Sequence, residues 1–300
     1  MDMAHPSRVP LAGRIPRARG SALGEVLALL SALLFGTTHF LNGLVARRVD
    51  SAAVALIGQV GGTVLVLVVA PLFIAPQVSG GALAWGALSG IGSGIGVGFL
   101  YRGMTRGRFS VVVPLSDVAA VALPVLVGVA LLGDRPAVLA WCGIAVAPPA
   151  LWFLSRSGRD ERGGTVSGAR DGLVAGVGFA LQFIALAQAD TDAGLWPLAA
   201  SRIASVLTLL PLIVRRPARV RMPAGFVYGC LGVGALGTTA MALYVLATRE
   251  QLMSLVVVLT ALYPAIPVLL GVTVLRERLT RAQGFGLACA AAAIGLISLA

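Results

Sequence analysis

Arg202 stands near the middle of an unbroken apolar run, where a guanidinium costs about 2.5 to 3.5 kcal/mol on membrane-insertion scales and must face protein or a water-filled cavity. Its fork of donors suits a carboxylate or phosphate. A structural role, holding carbonyls freed by Pro197 or pairing with Asp117, is the competing reading. Asp117 is the one acid well inside an apolar run. Protonation lets a carboxyl stay neutral in such a medium, which makes Asp117 the candidate for coupling to protons, against a fixed ion pair that never titrates. His39 and Asn42, three apart, share one face of a helix and could relay protons or bind a polar group, or simply pack. Gln59, Gln182, Gln188, Thr260 and Tyr263 add hydrogen-bonding groups at similar depth, with interhelical bonding as their ordinary use.

Elements that can hold such residues follow from composition. The 300 residues are 58% hydrophobic and 12% charged, with a mean hydropathy of +0.93. A water-soluble domain of about 25% charged residues is excluded. Apolar runs of helical length recur at 22–46, 52–75, 82–101, 109–132, 136–154, 171–189, 193–214, 224–247, 252–275 and 281–299. Each is near the ~20 residues that cross a bilayer. Continuous runs without polar alternation exclude a membrane β-barrel. The expected fold class is an all-α membrane protein of ten transmembrane helices.

The net charge of +11 comes from 23 basic residues, all Arg, lying almost wholly between the runs. They read as headgroup anchors, and no basic stretch interleaved with aromatics points to nucleic acid. Cys142, Cys230 and Cys289 lie inside runs without CxxC spacing or a His partner, so no metal site, disulfide or cofactor is expected. Gly232, Gly234 and Gly237 spell GxGxxG but follow no strand, which removes nucleotide binding. No HExxH, paired intramembrane Asp or Ser–His nucleophile supports an intramembrane enzyme.

Sliding the chain against itself gives a repeat at an offset of 143: Tyr101 meets Tyr244, Thr105-Arg106 meets Thr248-Arg249, Pro124 meets Pro267, and Asp134-Arg135 meets Glu277-Arg278. The unit holds five runs. An odd number places equivalent loops on opposite sides of a membrane, so the expected architecture is two inverted five-helix repeats, an arrangement many secondary transporters use. The expected divisions are a basic tail at 1–21, a first repeat at 22–155, a linker at 156–169 and a second repeat at 170–300. Gln59 falls opposite Arg202 in this alignment.

Pro124 and Pro267 are read as kinks or hinges inside the fourth and ninth runs. Asp134 and Glu277 are read as structural, Asp134 as a helix cap, and Thr280 with Gln283 as a capping box for the tenth run. Gly90, Gly94 and Gly98 form one close-packing face of the third run, with Gly92 and Gly96 beside it. Trp152, Trp196 and Tyr228 fit the interfacial aromatic belt.

Over residues 22–300 the chain resembles the EamA-type transporters of the drug/metabolite transporter superfamily. Tyr101, Pro124, Asp134 and Gly143, and again Tyr244, Pro267, Glu277 and Gly286, carry the resemblance. It implies a multi-pass permease of the cell membrane that exports a small metabolite, an amino acid or related anion among the candidates. Its partners are then a small-molecule substrate and membrane lipids. A lipid or lipid-linked sugar flippase and a non-transport membrane subunit are the alternatives. The Arg count, six on one side against sixteen on the other, favours external termini, whereas the resemblance implies cytoplasmic ones.

Overall fold

A computed structural model describes residues 22–127, 138–155, 165–215, 217, 221–250, 259–260, 263 and 265–298. Among these residues every regular element is helical: α1 (Ala22–Ala46), α2 (Ser51–Val69), α3 (Gly80–Arg106), α4 (Phe109–Val127) and α5 (Val138–Ser155) in the first half. The second half contributes α6 (Thr165–Ala187), α7 (Trp196–Val214), α8 (Ala224–Glu250), α9 (Ala265–Thr273) and α10 (Arg281–Ser298). Among the described residues six stretches are long and apolar enough to cross a membrane: 22–46, 51–72, 80–106, 168–186, 196–214 and 224–247. The chain is an all-α membrane protein.

Local chemistry sets several boundaries. The Asp50 carboxylate accepts from Ala52 N–H at 2.9 Å and Ala53 N–H at 3.2 Å, capping α2. Ser79 accepts from Ala82 N–H at 3.0 Å and opens α3. Pro71 lies in the 3-10 turn Ala70–Leu72 that ends the second run earlier than its apolar length suggests. Pro197 occupies the first turn of α7, where its missing N–H costs no helical bond.

The end of α9 is a wide turn in which Glu277 N–H reaches Gly271 O at 3.1 Å. Arg276, at φ 52°, takes the left-handed position usually given to glycine. That turn sends the Glu277 carboxylate back toward the first half. It accepts from Phe109 N–H at 3.2 Å, at the start of α4, and from Arg47 Nη2 at 3.2 Å.

Each half packs mainly on the other. The most extensive contacts are α3 with α6 and α7, α1 and α2 with α8, α4 with α6, and α5 with α10. Glycine decides how closely α3 approaches. A Cβ on Gly92 would lie 2.6 Å from Gln182 N, and one on Gly96 would lie 2.5 Å from the Phe179 ring, both in α6. Gly90 and Gly94 instead meet Ser201, Ser205 and Thr208 of α7. The two glycine sets read from the sequence are thus two contact faces, one for α6 and one for α7.

Arg102, at the C-terminal end of α3, bonds Asp171, at the N-terminal end of α6. Arg47, at the C-terminal end of α1, bonds Met104 O near the same end of α3. The equivalent helices α1 and α6 therefore run in opposite directions.

Pro267 corrects one expectation. Tyr263 N–H bonds Thr260 O at 3.0 Å and Ile266 N–H bonds Tyr263 O at 3.2 Å, so three-residue turn bonds precede α9. Pro267 then sits in the first turn of α9, where it breaks no helical bond. Pro124 lies within α4. Asp134, the basic tail and the linker at 156–164 lie outside the described residues, as do the side chains of Trp152 and Gln283.

Candidate functional site

Where α1, α2, α3, α7 and α8 meet, they border a partly open cavity of about 50 Å³ lined by Thr38, His39, Asn42, Gln59, Tyr101 and Arg202 together with small and apolar residues. That volume holds a few waters. A metabolite requires the helices to part.

Arg202 Nη1 donates to Gln59 Oε1 at 2.9 Å, and Gln59 Nε2 donates to Ser93 Oγ at 3.4 Å. Arg202 Nε is buried without a protein partner. No carboxylate among the described residues lies within 4 Å of this guanidinium. The pairing with Asp117 weighed from the sequence is not formed: Asp117 Oδ1 accepts from the Tyr263 hydroxyl. Arg202 therefore carries its charge beside a cavity with only a neutral amide for company.

The structure brings most of the sequence-derived candidates together. Asn42 Nδ2 donates to the Tyr101 hydroxyl at 3.0 Å, leaving Asn42 Oδ1 buried and unpartnered. The His39 ring lies 6.5 Å from Tyr101, 6.1 Å from Phe179 and 5.8 Å from Tyr263. It stands between the Arg202 cavity and the Asp117–Tyr263 pair. His39 Nδ1, Asp117 Oδ2 and Thr260 Oγ1 are also buried without protein partners. Such groups are costly unless water or a bound solute pairs with them.

Gln182 is buried in α6 at the α3 contact and does not line the cavity. Gln188 lies past the end of α6 and is exposed, so it leaves the set of polar groups at membrane depth. Glu277 accepts from Phe109 N–H and from Arg47 and is not among the residues that line the cavity.

Tyr101, Thr38 and Ser93 are site residues that sequence reasoning passed over. Tyr101 was legible as a repeat signature, and Thr38 neighbours His39, but Ser93 hid in a glycine-rich run. Gly234 and Gly237, of the discarded GxGxxG, turn out to be packing positions against Gly58 and Thr38 that bring α8 to the cavity wall. Among the described residues no group of His, Cys, Asp and Glu could hold a metal ion.

The EamA-like transporter family matches this chain twice in tandem, over residues 22–156 and 168–299. The chain belongs to the EamA-like transporter family. Membership makes it a membrane transporter of small solutes, a non-enzymatic class. No curated protein sequence matches it. Thirteen chains of solved structures do. One, described only as a crystal structure of a protein, superposes with a TM-score of 0.59 over 92% of this chain and 97% of its own. At 13% identity that likeness concerns the fold alone.

Proposed function

We propose that this EamA-family chain is a ten-span secondary transporter, built as two inverted repeats of 22–155 and 170–300, that exports a small anionic metabolite across the cytoplasmic membrane by alternating access. Arg202 contacts the anionic group, an amino acid's carboxylate or a related anion. The observation that carries this reading is the guanidinium at the cavity, bonded to a neutral amide with no carboxylate within 4 Å among the described residues. A buried cation in that condition gains most from a bound anion. Export follows the family resemblance. Opposed helix directions in the two halves supply the symmetry that rocking between access states requires.

Comparing medium and cytosol by untargeted mass spectrometry tests the reading, with wild type and Arg202→Ala expressed at equal membrane levels. A class of anionic metabolites should move to the medium with wild type only. Equal redistribution by both proteins would refute Arg202 as the contact, and no redistribution by wild type would move weight to a lipid substrate or a non-transport subunit.

Asp117 is proposed as the proton-coupling carboxyl. Tyr263 and His39 connect it to the cavity wall. An Asp117→Asn protein keeps an acceptor for the Tyr263 hydroxyl, so it should still insert. Its export should lose the dependence on an imposed pH gradient that the wild type shows. Unaltered gradient dependence in Asp117→Asn would remove this residue from coupling.

A further inference from the structure

Arg202 and Gln59 are separated by 143 positions, which is the repeat offset itself, and they bond each other. A two-fold operation that exchanges the halves carries Gln59 onto the place of Arg202 and Arg202 onto the place of Gln59. Two equivalent residues can touch only where that axis passes between them. The flanking contacts agree: Gly58, before Gln59, meets Gly234 of α8, while its equivalent Ser201, before Arg202, meets Gly90 of α3. Gly90 and Gly234 are equivalent to within one residue. A side-chain bond between hydroxyls, Ser89 to Ser201 at 3.2 Å, secures the second crossing.

Resting on the reading of Arg202 as the anion contact, we infer that Gln59 is the residue the substrate displaces, its Oε1 holding the place of the substrate's anionic oxygen on the repeat axis. Ser93 accepts from Gln59 Nε2, which fixes the amide with its oxygen toward the guanidinium. An amide oxygen is a weaker partner for a guanidinium than a carboxylate or phosphate oxygen, because the anion adds the attraction of a full opposite charge and can take two parallel N–H···O bonds from the fork. An arriving anion therefore wins the exchange, and an empty carrier still has its cation partly satisfied. A position on the axis also gives the cation the same standing toward both halves, so one arginine serves both access states.

Two variants test this, read by the same redistribution of metabolites at equal membrane levels. The exchange variant Gln59→Arg/Arg202→Gln returns the guanidinium to the axis from the other half. It should recover at least a third of wild-type redistribution where Arg202→Gln alone falls at least tenfold. If Arg202→Gln alone loses nothing, the parent reading of Arg202 fails. If it loses transport and the exchange variant stays as low, the axial inference fails while the parent reading stands.

Gln59→Glu places a permanent carboxylate on Arg202. Purified in detergent, it should unfold at a higher temperature than wild type while redistribution falls at least tenfold. Near-wild-type redistribution, or loss accompanied by a lower unfolding temperature, would overturn the inference. Should the exchange variant reach the membrane poorly, this second result decides alone.

Discussion

Repeat-equivalent positions at the two ends of the helical assembly are joined by different chemistry. At one end all three ion pairs among the described residues join the first half to the second. Arg102 grips Asp171 through Nε at 3.0 Å and Nη2 at 2.5 Å, Arg106 adds a contact at 3.5 Å, and Arg47 reaches Glu277 at 3.2 Å. Arg108 also donates to Arg278 O at 2.7 Å. The repeat equivalents of Arg102 and Asp171 are Val245 and Ala28. Near those positions Ala28 and Ala247 are fully buried, with Leu27, Tyr244 and Leu259 packed around them. A shared fold thus carries a charged seal at one pair of helix ends and an apolar seal at the repeat-equivalent positions, and the Arg102–Asp171 contact should answer to salt where the packing around Ala28 should not.

Removing the acid that two arginines share should have the largest effect. Asp171 is buried while its arginines are about half exposed, so Asp171→Ala should cost about 2 to 3 kcal/mol, discounted from a fully buried pair for screening. Thermal unfolding in detergent at low and high salt measures it, and the difference from wild type should shrink as salt rises. Overfilling the apolar seal with Ala28→Leu should cost about 2 kcal/mol, within the usual range for overpacking, with no change across the same salt series. A salt-dependent loss in Ala28→Leu, or a salt-independent one in Asp171→Ala, would break the contrast.

Glu277→Gln should cost less, up to about 1 kcal/mol. The amide oxygen still accepts from Phe109 N–H, and the Arg47 pair it gives up is partly exposed. The smallest effect is expected at Arg276, whose left-handed backbone is strained for any residue with a Cβ. The repeat partner of Arg276 is Gly133. Arg276→Gly should leave stability unchanged or raise it by a few tenths of a kcal/mol, relief of strain being offset by the freedom glycine gains when unfolded. A loss above about 1 kcal/mol would mean that the Arg276 side chain itself holds the turn.

Much of this was readable in the chain. Apolar runs mark the helices because lipid leaves few alternatives, and the pairing of tyrosines, prolines and acids at one offset exposes the duplication. The offset even set Gln59 opposite Arg202. It could not say that the two touch, because an offset identifies equivalent residues and not which equivalent pair lies on the axis. Asp171 and Arg102 lie in different halves, and nothing in their local spacing predicts that two helix ends meet. Tyr263 was visible as a polar residue at depth, but the turn that presents it replaces a helix that hydropathy alone would continue. Arg276 itself gives no local sign of its backbone, and only the glycine at its repeat partner, Gly133, hints at it.

The central claim concerns Arg202, and sealed proteoliposomes test it without a cell's other carriers. Vesicles holding purified wild type or Arg202→Ala would be loaded with a mixture of small carboxylates, amino acids and neutral solutes, and the external buffer followed by mass spectrometry. The account predicts faster release of one or more anion-bearing solutes from wild-type vesicles, lost in Arg202→Ala, with neutral solutes equal in both. Equal release of every anion-bearing solute from the two preparations would contradict it.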